Sequence, residues 1–160
     1  MREQTVELAL PLPADFGREA FLDFHRRDVE AVAEKVDAGM LEKAFIWQQV
    51  PTLLTVAFHE PGQARITLQC DAEAPSASVS LDAFARHLLG LDQPTQEFEA
   101  QSGRHPLVGA MVRTQAGLRV PQSASPFEAL SWAIIGQQIS VAAAVSIRRR
   151  FIQRLGFFFF

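Results

Sequence analysis

Residues 126–140 read PFEALSWAIIGQQIS, and residues 141–156 continue VAAAVSIRRRFIQRLG. Ser125-Pro126-Phe127-Glu128 carries two helix-start signals: serine with glutamate three residues on, and proline at the first helical position, where its missing N–H has no partner to lose. Phe127, Leu130 and Ile134 recur at helical spacing and mark the expected buried face. Gly136 is expected to end this helix as a left-handed residue. Ser140 is placed to cap a second helix, Val141 to Leu155. The turn between them is Gln137-Gln138-Ile139. The reading is a helical hairpin tipped by two long amide side chains, and apart from the Gly136 backbone nothing hydrophobic requires glutamine there. Such amides can reach base edges or fill a gap in a duplex. A polar turn in water accounts for them equally, and the residues alone leave both open.

Working back toward the N-terminus, the pattern changes from helical to alternating. Val6, Leu8 and Leu10 alternate with polar residues and predict a strand over Thr5 to Leu10, closed by Pro11 and Pro13. Asp15 is placed to cap a helix carrying Phe16, Ala20, Phe21 and Phe24 on one face. Strands are expected at about Val29–Val36, Met40–Gln48, Leu53–His59 and Gln63–Cys70. Asp37-Ala38-Gly39, Pro51 and Glu60-Pro61-Gly62 separate them as turns. Pro75-Ser76 opens an amphipathic helix with Val79, Leu81, Phe84, Leu88 and Leu89. A strand, a helix, an antiparallel four-strand meander and a closing helix make an α+β domain over residues 1–92. From Gln93 the chain reads as helical, with a short helix over His105 to Thr114 and a loop from Gln115 to Ala124. The second unit is 93–156. Phe157 to Phe160 fit no helix, strand or turn pattern and stand apart as an anomalous end.

The net charge of −3 conceals an asymmetry. Residues 1–100 hold 17 acidic against 8 basic residues, whereas residues 101–160 hold only Glu128 against seven arginines. A basic half of this kind suits a polyanion, and also suits a helical surface solvated by arginine. Arg148, Arg149, Arg150 and Arg154 lie in the latter half of a helix, where cations complement the macrodipole. We expect solvent and dipole to account for most of them and phosphate contact for one or two.

Other chemistries find little support. Dinucleotide, P-loop, zinc-protease and serine-hydrolase motifs are missing. The four histidines (25, 59, 87 and 105) lack metal-ligand spacing, and Cys70 reads as a small buried hydrophobe. No metal and no cofactor are expected. Met1 is followed by polar residues, and no apolar run approaches the roughly 18 residues of a membrane span, so the cytoplasm is the expected compartment.

The stretch from Pro126 to Ala144 closely resembles the opening of the catalytic domain in the DNA-3-methyladenine glycosylase II family, of the helix-hairpin-helix DNA glycosylase superfamily. The shared pattern is an aromatic or basic residue before Ala-Ile-hydrophobic-Gly-Gln, then Ser-Val-Ala-Ala. Gly117-Leu118-Arg119-Val120-Pro121 resembles that family's lead-in, and residues 1–92 match its TBP-like domain in element order. The resemblance implies base excision repair of alkylated bases, by hydrolysis of the base–deoxyribose bond. It implies that Gln137, Gln138 and Ser140 meet DNA, with Gln138 filling the space of a flipped nucleotide, and that Phe24 lines the base pocket. The implied partner is duplex DNA carrying alkylated bases, bound by a monomer in the bacterial cytoplasm, at the nucleoid while acting. The family's helix-hairpin-helix and its aspartate find no match here. The catalytic aspartate is expected beyond residue 160, and the chain alone is expected to be inactive.

Two rivals remain. A helix-turn-helix regulator, or another non-enzymatic DNA-binding module, fits the outline of two helices with a basic second one. Against a regulator, Val141-Ala142-Ala143-Ala144-Val145 suits packing on other helices better than reading a groove. The other rival is a fragment that folds only over its first 90 or so residues.

Overall fold

A computed structural model of the chain describes residues 4–70 and 78–155, with the side chains of the second stretch described from Leu81 onward. Pro75, Ser76, the Val79 side chain and the Phe157–Phe160 tail, all singled out in the sequence, lie outside what is described. Five strands form one antiparallel sheet: β1 (Gln4–Pro11), β2 (Glu34–Asp37), β3 (Met40–Trp47), β4 (Val50–Ala57) and β5 (Gln63–Cys70). Their spatial order is β1-β5-β4-β3-β2. The meander is therefore continuous, and β1 returns to flank its last strand. Helix α1 (Arg18–His25) and helix α2 (Ser78–Leu88) contribute to one core with the sheet. Leu10, Leu41, Leu54, Val56, Ile66 and Leu68 meet Phe21, Leu22, Leu81 and Leu88 there. This is the expected α+β architecture.

Two-residue hairpins explain where the strands join. Ala38 and Gly39 (φ 46° and 78°) connect β2 to β3, and Gln48 and Gln49 (φ 47° and 70°) connect β3 to β4. Positive φ at both central residues gives the turn whose twist matches the strands. Pro51, expected to break the chain, instead lies inside β4 opposite Ile46. Pairing with β5 begins at Thr52, so among the described residues Pro51 has a strand neighbour on one side alone, where a missing donor is tolerated.

Two further expectations change. Asp15 caps nothing: α1 starts after Gly17, and Asp15 receives Arg119 instead. The strand expected from Val29 shrinks to Glu34–Asp37, because Asp28 accepts from the Glu30 and Val32 N–H groups and turns the chain locally.

Beyond α2 come α3 (Thr95–Ser102), α4 (Gly109–Thr114), α5 (Pro126–Ile135) and α6 (Val141–Leu155). The segment 115–124 is irregular yet tied down. Glu99 accepts from the Gly117 N–H, Gln93 exchanges two hydrogen bonds with Val120, and the Gln122 N–H donates to the Leu88 carbonyl. Gly117 has φ 78°, and any Cβ there would overlap the Asp15 carbonyl. Only glycine fits this approach of linker to domain.

Candidate nucleic-acid interface

Helix α5 begins as its sequence demands. The Ser125 Oγ accepts from the Glu128 N–H at 3.1 Å, and Pro126 occupies the first turn. The reciprocal bond of the capping box goes elsewhere, since the Glu128 carboxylate accepts from the Ala124 N–H at 2.8 Å. Helix α6 starts at Ser140, whose Oγ accepts from the Ala143 N–H at 3.3 Å. Gln137, Gln138 and Ser140 are thus gathered at one exposed turn. Gly136 is right-handed (φ −77°), contrary to expectation. The left-handed residue is Gln138, at φ 61°. The chain reverses at the glutamine because α5 runs on through Gly136 in helical conformation, leaving the reversal to a later residue.

The hairpin is fastened to the sheet by charge. Lys43 Nζ lies 2.5 Å from Glu34 and 2.7 Å from Glu128, and its side chain is only 3% exposed. Arg148 of α6 donates to the same Glu128 oxygen at 2.8 Å, and the His25 ring bonds Glu34 at 2.8 Å. Burial alone would raise the Glu34 carboxyl, but Lys43 and His25 beside it hold it well below the ordinary carboxylate range. Burial likewise opposes charge on Lys43, and Glu34 and Glu128 overcome it, raising the lysine above its ordinary value. Arg149 adds a second clasp, bonding Asp28 at 2.7 and 3.0 Å and Glu30 at 2.6 Å.

This arrangement corrects the reading of the arginines. Arg148 and Arg149 serve neither solvent nor dipole but hold α6 against the acidic half of the chain. Arg150 and Arg154 remain exposed, without an ion pair among the described residues. The sequence did carry a signal. Alternation along β3 puts Lys43 in the core-facing row with Leu41 and Phe45, and alternation along β2 puts Glu34 with Val36. A charge on each apolar row announces a buried pair.

Phe24 is half-buried near the C-terminal end of α1, and it faces α5. It borders a cleft of about 220 Å³ together with His25, Arg27, Glu34 and Trp132. The Arg27 guanidinium lies 3.7 Å from the Phe24 ring centre and 5.3 Å from the Trp132 ring centre. Arg148 approaches Trp132 at 5.0 Å. Gln137, Gln138 and Ser140 do not line this cleft.

The apolar face expected to be buried on α5 is open. Phe127, Leu130 and Ile134 are 66, 60 and 59% exposed. Phe127 meets Phe151 of α6 at 6.4 Å between ring centres. The spacing is helical as read, but among the described residues only α6 packs closely on α5. Of the first residues of α6, Ala144 and Val145 are buried, while Val141 is exposed.

A family model described as the AlkA N-terminal domain matches residues 7–125. The chain belongs to this family. The AlkA N-terminal match runs through the sheet, α1–α4 and the stitched segment, and it closes at Ser125, the cap of α5. A protein of Bacillus subtilis (strain 168) named DNA-3-methyladenine glycosylase is 24% identical over 152 residues, covering 93% of this chain and 50% of its own length. A solved structure, the 3-methyladenine DNA-glycosylase from Archaeoglobus fulgidus, superposes with a TM-score of 0.71 at 20% identity, over 92% of this chain and 50% of that one. This chain of the AlkA N-terminal family therefore spans about half the length of both relatives.

Proposed function

We propose that this chain serves a DNA repair N-glycosylase that removes alkylated bases from duplex DNA by hydrolysing the base–deoxyribose bond. The glycosidic bond is shielded within the stack, so an enzyme of this kind must extrude its base and hold the duplex open meanwhile. Gln138 is the filling group, and Gln137 and Ser140 stand beside it against the strand. Phe24 forms part of the wall that receives the extruded base. Residues 1–92 are the non-catalytic domain, and residues 93–156 lead into and open the catalytic one. The carboxylate that stabilises the sugar cation is not supplied by this chain. The protein works as a monomer in the bacterial cytoplasm, at the nucleoid. The observation that carries this reading is the α5–α6 turn, where a glutamine with left-handed backbone stands exposed between two serine-capped helices.

The test joins residues 1–155 to the second half of the Bacillus subtilis relative and assays release of 3-methyladenine from methylated duplex. The hybrid is expected to release the base and the 160-residue chain alone to release none above buffer. A folded, DNA-binding hybrid without activity overturns the assignment, and release by the chain alone overturns the placement of the chemistry.

A further inference from the structure

Helices α5 and α6 stand outside the AlkA N-terminal match, which ends at Ser125, yet the alignment with the Bacillus relative covers 93% of the chain. Their large apolar residues form one open surface. Phe127, Leu130 and Ile134 recur along α5, and Phe151 and Leu155 stand about one turn apart on α6, all exposed. Single exposed apolar residues are ordinary, but a contiguous group across two helices marks a surface that another element covers.

This surface runs into a groove of about 450 Å³ whose other wall is the sheet: Phe127, Phe151 and Leu155 line it together with Ala44 and Ile46. The outer edge of β3 is open there. β2 pairs with β3 only as far as Lys43, and the Ala44 N–H adds one bond to the Ala33 carbonyl. From Phe45 to Trp47, β4 is the sole strand neighbour of β3 among the described residues. Native sheets cover or blunt such edges. The polar groups of the groove are already taken. Lys43 and Arg148 both bond Glu128, and the Ser131 hydroxyl donates to the Phe127 carbonyl. With each charge on its lining paired, the groove suits an apolar side chain and not a phosphate.

We propose that this groove receives an apolar helix from the second half of the whole enzyme, which thereby clamps the α5–α6 hairpin to the open edge of β3. The inference rests on the reading that the chain serves a longer glycosylase, of which it spans about half. The ridge at positions 127, 130 and 134 fits the groove of a packed helix. An element of the same polypeptide reaches the site at an effective concentration that a second copy of the chain does not match.

The experiment melts the hybrid of residues 1–155 with the second half of the Bacillus subtilis relative beside the chain alone. Each carries Leu130→Gln, Ile46→Thr or, as a control, Val29→Thr at a position 88% exposed. In the chain alone all three should shift the melting temperature by under about 2 °C, because they alter exposed positions. In the hybrid, Leu130→Gln and Ile46→Thr should each lower it by about 4 °C or more, with Val29→Thr silent. A hybrid whose two halves melt separately overturns the proposal, as does Ile46→Thr without effect in it. A dimer of the hybrid that Leu130→Gln disperses makes a second copy the occupant and equally overturns it. Base release reads the proposed function separately: a hybrid that melts as expected but frees no base supports the groove and overturns the glycosylase assignment.

Discussion

Gln138 holds φ at 61°, a region that glycine enters freely and that a β-carbon resists. A residue kept in that conformation at an exposed turn costs about 1 kcal/mol relative to glycine. Gln138→Gly is therefore expected to raise the melting temperature of the chain while removing the side chain proposed to fill the duplex. In the hybrid glycosylase the same substitution should slow single-turnover excision and leave undamaged-duplex affinity and its salt slope nearly unchanged, since those depend on phosphate neutralisation. Gln137→Ala, one position away, should leave the melting temperature unchanged and slow excision far less, since Gln137 only flanks the filling group. A lowered melting temperature for Gln138→Gly would mean that the glutamine side chain supports the hairpin. Positive φ alone does not mark function, because Gln48 and Gln49 share it in a strand connection far from this turn in sequence. What distinguishes Gln138 is its place between two capped helices.

At the scale of elements, the sheet was legible because its faces alternate, and α5 and α6 because serine, proline and glutamate punctuate them. Less legible were features decided by distant partners. The burial of Lys43 depends on Glu128, 85 residues away, and no local pattern names that partner. Pro51 misled because its tolerance depends on where β5 ends, which is a fact of register. The helix α3 was missed as a separate element, and none of its residues is buried to mark a face. Of the candidate site, the turn was readable, whereas the Arg27–Phe24–Trp132 stack joins α1 and the residues just after it to α5, far apart in the chain. Lys43→Met should destabilise the chain by about 3 kcal/mol or more, since two buried carboxylates lose a partner. Arg148 remains beside them and keeps the loss toward that lower value. The urea midpoint measures it, and a change under 1 kcal/mol would show the cluster to be hydrated rather than structural. The pH dependence follows from the two shifts. Glu34, depressed in the fold, contributes stability above the ordinary carboxylate range and loses it as pH falls toward its lowered value. Lys43, raised in the fold, contributes below the ordinary lysine value and loses it as pH climbs through its raised one. Docking of α6 should accordingly hold across neutral pH and fail at both extremes.

Across the whole molecule, the charge asymmetry works inward, joining the basic half to the acidic half through Arg119–Asp15, Arg148–Glu34 and Arg149–Asp28. A segment such as 115–124, which composition would nominate as an exposed linker, is instead bonded along most of its length. Limited proteolysis should spare it and cut first at more open backbone, such as the stretch around Leu107, which is 85% exposed. Early cleavage between Gln115 and Ala124 would show that these bonds do not survive in solution. The clasp also carries a consequence in time. Arg149 and Asp28 stand 121 residues apart, and the groove that receives Arg148 exists only once β2 and β3 have brought Glu34 alongside Lys43. Contacts between residues so distant in the chain are entropically slow to close and find their partner only after the local ones are made. In refolding, Trp47 fluorescence should therefore settle before Trp132 fluorescence, and the turn that bears Gln138 is the last part of the molecule to reach its position.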